Sequence, residues 1–297
     1  MTVLSVVVQD VLEGKLFARM VTRSDTQARP LLRWAGSKRQ TVERLKQLWG
    51  TDHTRYVEPF AGSAALFFAI RPNKALLADK NADLIDTYNV LCDRPLELHT
   101  RLTSMVRSKD LYYSLRSQDP RSLPPFERAI RFLYLNRYCF NGLYRTNASG
   151  EFNVPYAPSG TGSFPSADVF EASARLLATA TRRAWDFGTT LRYVKEGDFV
   201  YLDPPYAVES RRVFREYGSF GFGREELLRL AGHLRRIDER GAVFLLTYAD
   251  CSEARELFSE WKQKRIAVRR NIAGFAGARR RAYELLVSNC TGPFGPR

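Results

Sequence analysis

A carboxylate, two prolines and an aromatic ring follow an apolar run in FVYLDPPYAV at 199–208. The planar amine of a nucleobase is a poor nucleophile, because its lone pair is delocalised into the ring. If Asp203 and the carbonyl of Pro204 each accepted one N–H, the nitrogen would be drawn toward tetrahedral geometry. Pro205 would hold that carbonyl in place without adding a competing donor, and Tyr206 could stack on the base. The alternative is a proline-stiffened turn with a capping aspartate.

A second candidate site is the turn EPFAGSA at 58–64, which follows a short apolar run and precedes a helical pattern. Such turns bind ligands in α/β proteins, because small residues let the backbone approach and the helix N-terminus offers free N–H groups. Asp79 ends the next apolar run and could accept hydrogen bonds from both hydroxyls of a ribose. The turn lacks the three glycines of the dinucleotide fingerprint, which argues against NAD. A nucleoside ligand is therefore favoured over a tight turn with a helix-capping aspartate.

A third segment, LRWAGSK at 32–38, brings an aromatic ring and an amine close together along the chain. Trp34 could cover the face of an adenine, and Lys38 could meet a carboxylate. Without further context, a core tryptophan and a solvated lysine explain the segment equally well.

Short apolar runs alternate with helical patterns on both sides of a stretch, from about 92 to 165, that is helical and rich in loops. This alternation is typical of a parallel sheet covered by helices. The simplest interpretation is one α/β domain interrupted by an inserted helical module. The predicted strands are 55–60, 74–79, 198–203, 242–248, 265–270 and 283–289, and the predicted helices are 63–70, 82–91, 126–140, 224–240 and 252–261.

The chain has 297 residues and a formal net charge of +14, from 46 lysines and arginines against 32 acids. This excess favours a polyanionic partner over a soluble protein that is merely basic. Four cysteines without C-x-x-C spacing and three scattered histidines predict neither a zinc site nor a disulfide framework. The apolar run at 3–8 is too short to span a bilayer and lacks the features of a signal peptide. We therefore expect an intracellular protein in a reducing compartment.

In this order, the segments 33–38 and 58–64, then Asp79, then 203–206, resemble the Dam-type DNA adenine methyltransferases. The similarity extends from about 31 to 290 and includes LLADKNADLIDTYN, FLYLNRYCFNGLYR and GEFNVPY. The resemblance implies an α/β fold: a Rossmann-like class I methyltransferase sheet with helices on both faces and an inserted, mostly helical target-recognition domain. It divides the chain into an N-terminal extension (1–29), a catalytic domain (30–91 and 165–297) and a target-recognition domain (92–164).

The resemblance also implies methyl transfer from S-adenosylmethionine, without a metal, to the exocyclic N6 amine of a flipped adenine in double-stranded DNA. The adenine must leave the duplex, because its amine is otherwise buried in the stack. Asp203, Pro204, Pro205 and Tyr206 would hold it, and Asp203 would align the amine rather than act as a formal base. The residues expected to contact the cofactor are Trp34, Ala35, Gly36, Lys38, Glu58, Phe60, Gly62, Ser63, Asp79 and Asp203.

The segment 136–155 is expected to enter the DNA. By the resemblance, Phe140 and Asn141 form a wedge in the duplex, Leu143 touches a thymine methyl, and Arg145 reads a guanine through two hydrogen bonds. These last two contacts suggest a GATC-like site. The alternative is a buried aromatic helix end with a solvated arginine. The full set expected to contact DNA is Arg33, Arg116, Phe140, Asn141, Leu143, Arg145, Asn153, Pro155, Arg279 and Arg280.

The segment 262–281 carries eight lysines and arginines and no acid, and is expected to contact phosphates, with a solvated strand face as the alternative. Three departures from the family pattern stand out. Ala64 replaces a glycine found in many relatives, which would weaken cofactor binding slightly. Phe140 replaces a tyrosine in the wedge, and 157–163 lacks the basic and aromatic residues used there by the best-known relatives.

Two other functions remain open from the sequence: a catalytically silent DNA-binding protein on the same fold, and an enzyme acting on a cytosine amine or on RNA. The intact Asp203–Tyr206 segment and Asp79 argue against the first, and the leading aspartate and the recognition insert argue against the second. The expected enzyme is a cytoplasmic, nucleoid-associated monomer without a membrane partner, of bacterial or phage origin. A cognate restriction endonuclease is a candidate partner.

Overall fold

The computed structural model describes residues 27–34, 36, 38, 41–50, 52–147, 150–159, 161–206, 222–269 and 281–290. Several sequence-based expectations fall outside these residues. They concern residues 1–26 of the extension, Ala35, and residues 270–280 of the basic segment, which include Arg279 and Arg280.

The strands are β1 (Arg55–Glu58), β2 (Ala75–Ala78), β3 (Ala180–Arg183), β4 (Asp198–Leu202), β5 (Val243–Ala249), β6 (Lys262–Arg269) and β7 (Arg281–Ser288). They form one sheet in the order β3-β2-β1-β4-β5-β7-β6. The first five pair in parallel, whereas β7 runs antiparallel to both of its neighbours. Every residue of β2 and β4 is buried, which explains the apolar runs ALLA and FVYL, since parallel strands are covered on both faces, and the one acid of β4, Asp198, pairs with Arg55.

The helices that the structure describes are α1 (Val42–Lys46), α2 (Ala65–Ile70), α3 (Ala82–Asp93), α4 (Pro95–Ser104), α5 (Lys109–Ser117), α6 (Pro125–Tyr138), α7 (Ala167–Leu177), α8 (Phe187–Arg192), α9 (Arg224–Glu239) and α10 (Ser252–Leu257). Helix α9 shows why they form. Its buried Leu227, Leu230, Leu234 and Ile237 recur every three or four residues, so one stripe faces the sheet and the rest faces solvent.

Two hydrophobic clusters cover the two faces of the sheet. One contains Phe187, Leu234 and Phe244, which join α8 and α9 to the sheet. The other contains Tyr56 of β1 together with Tyr134 of α6, so the helices of the insert share a core with the sheet. The α/β fold with helices on both faces is thus confirmed. The domain boundaries at 91–92 and 164–165 stay a prediction.

Among the elements described above, the sequence patterns miss strand β3 and helices α1, α7 and α8. Strand β3 has the sequence ATRR with one apolar residue, because it lies at the edge of the sheet and pairs with β2 alone. Its formation depends on the neighbouring strand rather than on its own apolar periodicity.

Candidate active site

The candidate site lies at the carboxyl ends of β1 and β4, which are adjacent in the sheet. From β1 the chain continues toward β2 on one side, and from β4 it continues toward β5 on the other. Crevices at such switch points are where α/β proteins bind ligands. Glu58 closes β1 and Asp203 follows β4, so the two carboxylates predicted from separate segments come to the same edge.

The carboxylate of Asp203 is held through one of its oxygens. Its Oδ1 lies 2.8 Å from the Lys38 Nζ and accepts a hydrogen bond from the Thr247 hydroxyl, also at 2.8 Å. Thr247 is buried on β5 and its hydroxyl also contacts that of Tyr201 at 3.3 Å. Among the described residues, Oδ2 has no hydrogen-bond partner. Asp203 therefore has a fixed orientation and one oxygen available to a donor.

The ammonium of Lys38 joins several side chains of this site. Besides Asp203, its Nζ contacts the Tyr206 hydroxyl at 3.0 Å and lies 3.5 Å from the Glu284 Oε1. The Tyr206 hydroxyl in turn donates to the Glu284 Oε1 at 2.9 Å. The Tyr206 ring meets the Tyr248 ring edge-on, with 5.2 Å between centroids. The carboxylates that Lys38 meets are thus Asp203 and Glu284, and a contact with the cofactor stays a prediction.

Glu58 is buried, and its Oε2 accepts a hydrogen bond from the Tyr56 hydroxyl at 3.0 Å. Burial raises the pKa of the Glu58 carboxyl well above its usual range, the Tyr56 hydrogen bond opposes that rise, and the Asp203 and Asp79 carboxylates add to it. Three acids lie at one sheet edge, so the crevice offers several carboxyl oxygens to a ligand that is rich in hydrogen-bond donors.

The carboxylate of Asp79 is oriented by backbone groups. Its Oδ2 accepts from the Gly62 N–H at 3.0 Å and its Oδ1 accepts from the Asn81 N–H at 2.9 Å. Burial raises the pKa of the Asp79 carboxyl, and the backbone hydrogen bonds lower it. Because each carboxylate oxygen has more than one lone pair, Asp79 keeps acceptor capacity for a further ligand such as a diol.

The cofactor turn needs glycine at position 62. Its φ of 47° lies in the left-handed region, and a Cβ there would come within 2.7 Å of the Trp34 ring. The same Trp34 ring stacks on Tyr144 of the insert, with centroids 5.5 Å apart and planes 16° apart. Trp34 is therefore packed between the turn and the insert. Ala64 also has a left-handed φ, 52°, which costs roughly 1–2 kcal/mol for a residue with a Cβ.

Other predicted cofactor residues surround this turn. Ser63 is buried within it, and Gly36 precedes Lys38, whose Nζ contacts the Gly36 carbonyl at 3.3 Å. The Phe60 ring stacks on Phe187 with 5.3 Å between centroids. Their roles in cofactor binding stay predictions.

The model of the D12 class N6 adenine-specific DNA methyltransferases matches residues 34–272. That range includes the cofactor turn, the recognition insert and Asp203. The chain belongs to this D12 methyltransferase family. Two DNA adenine methylases are similar to it: one from Haemophilus influenzae is 33% identical over 266 residues, covering 87% of this chain and 93% of that protein. The other, from Escherichia coli K12, is 32% identical over 273 residues, covering 90% and 98%.

A third relative is the type II methyltransferase M1.LlaDCHI of Lactococcus lactis, 31% identical over 279 residues, which cover 91% of this chain and 98% of that protein. This D12 methyltransferase is accordingly an adenine-specific DNA methyltransferase, and its family implies S-adenosylmethionine as the methyl donor. Among the residues that the structure describes, no helix is long and apolar enough to cross a membrane, and no cluster of acids, histidines and cysteines could hold a metal.

The predicted wedge of the D12 methyltransferase lies just after α6. Phe140 is 45% exposed, and Asn141 has a left-handed φ of 55°. Gly142 follows with φ 63°, and a Cβ on it would come within 2.4 Å of the Arg33 Cβ. The wedge is therefore an exposed aromatic ring on a tight turn that packs against the segment preceding Lys38.

Arg145 and Asn153 lie side by side, because two backbone hydrogen bonds join their segments and the Arg145 Nε donates to the Asn153 Oδ1 at 2.9 Å. Leu143 precedes them and is partly buried. The exposed Pro155 accepts the backbone N–H of Phe140 at 2.9 Å. The predicted base-reading residues are thus brought together on one loop pair.

Two arginines predicted to contact DNA are engaged within the protein. The Arg116 guanidinium donates to the Val154 carbonyl at 3.3 Å and lies over the Tyr113 ring. The Arg33 guanidinium donates to the Arg137 carbonyl at 3.4 Å. Both are partly buried, so each contributes to holding the insert, and their DNA contacts stay predictions.

Thr247 and Glu284 belong to the site but are not among the residues predicted from the sequence. Each is a polar residue inside an otherwise apolar strand, in AVFLLTY and YELLVSN. A buried strand has little reason to hold a hydroxyl or a carboxylate unless another group pairs with it. The sequence therefore indicates that each residue has a polar partner. Which residues those partners are becomes known only from the three-dimensional structure.

Proposed function

We propose that this methyltransferase transfers the methyl group of S-adenosylmethionine to the N6 of an adenine flipped out of duplex DNA, with Asp203 and the Pro204 carbonyl as the two acceptors for the amine. One observation carries these assignments. Lys38 and Thr247 both contact Oδ1 of Asp203, so Oδ2 remains for an N–H of the base.

The residues around the cofactor turn fit S-adenosylmethionine. Asp79 has acceptor capacity for the two ribose hydroxyls, and the buried Glu58 carboxyl at the same sheet edge is a further hydrogen-bonding group for the cofactor. Gly62 allows the backbone and Trp34 to approach each other closely. When bound, the cofactor supplies an activated methyl group on a sulfonium. The protein then contributes position: it holds the amine in line and excludes water from the reacting atoms.

We further propose a GATC-like target read by Leu143 and Arg145. The Arg145 Nε is fixed by Asn153, and its two terminal nitrogens have no partner among the described residues. Two parallel donors match the O6 and N7 of guanine, a contact worth about 1–3 kcal/mol of discrimination. Phe140, exposed on its tight turn, would fill the space that the flipped base leaves.

The type II relative supports a role in a restriction–modification system, with a cognate endonuclease that cuts the unmodified site. The names of the two bacterial DNA adenine methylases mention no such system, and an enzyme acting without an endonuclease is the alternative. We propose a monomeric enzyme acting on double-stranded DNA in either setting, because the site is complete within one chain.

The test is to express the protein in a host without DNA methylation and to map modified bases by sequencing. Modified adenine at a GATC-like site is expected, and modified cytosine would contradict the proposal. An Asp203→Ala variant should lose methylation while still binding DNA. If the intact protein bound duplex DNA but methylated none, a silent DNA-binding protein would be the better interpretation.

A further inference from the structure

The carboxylate of Glu284 has a place in the site that its position in the sheet does not require. Glu284 lies on β7, opposite Ala249 of β5 and Ile266 of β6, between residues of the core. Its side chain is 8% exposed. A carboxylate at such a position costs free energy unless charges and hydrogen bonds compensate it, so the residue type calls for a reason beyond packing.

That compensation is incomplete and one-sided. Oε1 accepts the hydrogen of the Tyr206 hydroxyl at 2.9 Å and faces the Lys38 ammonium at 3.5 Å. Oε2 is buried and, within the described part of the chain, has no hydrogen-bond partner. Both contacts are made by Oε1, to side chains that belong to the site around Asp203. Among the described residues, Oε2 accepts no hydrogen bond.

We infer that Glu284 is a positioning residue for methyl transfer, acting through Tyr206 and Lys38. This inference rests on the proposed function of the site. The Tyr206 ring, proposed to stack on the adenine, is tied down at its hydroxyl by Glu284. Lys38 is drawn between Glu284 and Asp203, which keeps the ammonium on Oδ1 and leaves Oδ2 for the amine. The under-satisfied carboxylate thus fixes the ring proposed to stack on the base and the ammonium that contacts Asp203.

The experiment compares Glu284→Gln with the wild type in single-turnover methyl transfer, on a duplex carrying the site mapped by sequencing. Gln keeps the shape but removes the charge. The rate constant should fall roughly 10- to 100-fold, as expected for a small misplacement of reacting groups. The dissociation constant for DNA should change much less than the rate constant, and the thermal midpoint should be unchanged. A purely structural residue would instead lower the midpoint.

Tyr206→Phe and the double variant Glu284→Gln/Tyr206→Phe complete a double-mutant cycle. If Glu284 acts through the Tyr206 hydroxyl, the double variant should be slower than Glu284→Gln by less than the full Tyr206→Phe effect, because the two changes remove a shared interaction. The matched control is Glu260→Gln, which removes a surface carboxylate paired with Arg235 and should keep the wild-type rate.

A wild-type rate in Glu284→Gln, or effects that multiply independently in the double variant, would overturn the inference. If Glu284→Gln did not fold, a wild-type rate in Tyr206→Phe would overturn it equally. A crystal structure of Glu284→Gln gives a readout without activity: the Tyr206 ring and the Lys38 amine should be displaced, and unchanged positions would count against the role. Absence of methyl transfer by the wild type would instead count against the proposed function.

Discussion

Arg33 and Asn136 exchange two hydrogen bonds: the Arg33 N–H donates to the Asn136 Oδ1 at 2.9 Å, and the Asn136 Nδ2 donates to the Arg33 carbonyl at 2.6 Å. The Asn136 amide thus makes the same pair of hydrogen bonds to the Arg33 backbone that a neighbouring β-strand would make. It attaches the segment before Lys38 to helix α6 of the insert, so the groups proposed to hold the base and those proposed to read the DNA share one support.

Asn136→Ala should lower the free energy of unfolding by about 1–3 kcal/mol, because it leaves the partly buried N–H and carbonyl of Arg33 without the partner that the buried Asn136 provides. Urea unfolding measures this loss. Asn73→Ala, at an exposed asparagine, is the control and should change the free energy of unfolding little. Equal stabilities of the two variants would show that water satisfies the Arg33 backbone in place of Asn136.

Gly62→Ala should lower stability by about 1–2 kcal/mol from its left-handed φ alone. It should also weaken S-adenosylmethionine binding, because the new Cβ pushes against the Trp34 ring. Calorimetric titration with the cofactor measures the second effect. Gly232→Ala is the matched control: this glycine lies in α9 with nothing near its would-be Cβ, and the change should stabilise the protein by about 0.5–1 kcal/mol. Unaltered cofactor affinity in Gly62→Ala would contradict the proposed turn.

Glu58→Gln should make stability less dependent on pH. The pKa of Glu58 is raised in the folded state, so below the unfolded value of about 4.3 the carboxyl is protonated in both states. As the pH rises through that value the unfolded chain releases its proton first, and the wild-type folded state loses stability. The neutral variant avoids this loss. Relative to the wild type it should gain stability from about pH 4 upward, measured by urea unfolding across a pH series. A difference that is constant with pH would contradict the burial argument.

Thr247→Val should lower kcat about tenfold, equivalent to roughly 1.4 kcal/mol, because Asp203 loses the hydroxyl that orients its Oδ1. The Tyr201 hydroxyl also loses a partner, so stability should fall by about 1–3 kcal/mol. Thr87→Val on α3 is the control, since the buried Thr87 hydroxyl donates to the Asp83 carbonyl away from the site and should affect stability only. Equal kcat values for the two variants would remove Thr247 from the catalytic site.

The sequence allowed the prediction of those parts of the fold that carry their own pattern. Strands β2 and β4 have unbroken apolar runs, and the Asp203–Tyr206 segment has a composition that few turns share. The sequence did not allow us to predict which side chains contact Asp203. Lys38 is predicted only to meet some carboxylate, and the residues that gather around it lie more than 160 positions away along the chain. Contacts between residues so far apart along the chain depend on the order of the strands in the sheet, and the local periodicity of the sequence does not encode that order.

The same limit applies to Glu284 and β3. A lone acid in an apolar strand signals a compensating partner but does not say which one, and ATRR forms a strand only because β2 offers it an edge. Tertiary pairing determines both, and it becomes visible only when the sheet is assembled.

The core shared by Tyr56 of the sheet and Tyr134 of the insert bears on how target specificity can be changed. Exchanging the whole segment 92–164 for that of a relative would cut through a packed interior and expose a mismatched surface on both sides. The insert is therefore not expected to keep its fold and function when it is exchanged as a whole between relatives. New specificities should instead be sought by varying the less buried residues around Arg145 and Asn153, while Phe152 and Val154, which belong to that interior, are kept.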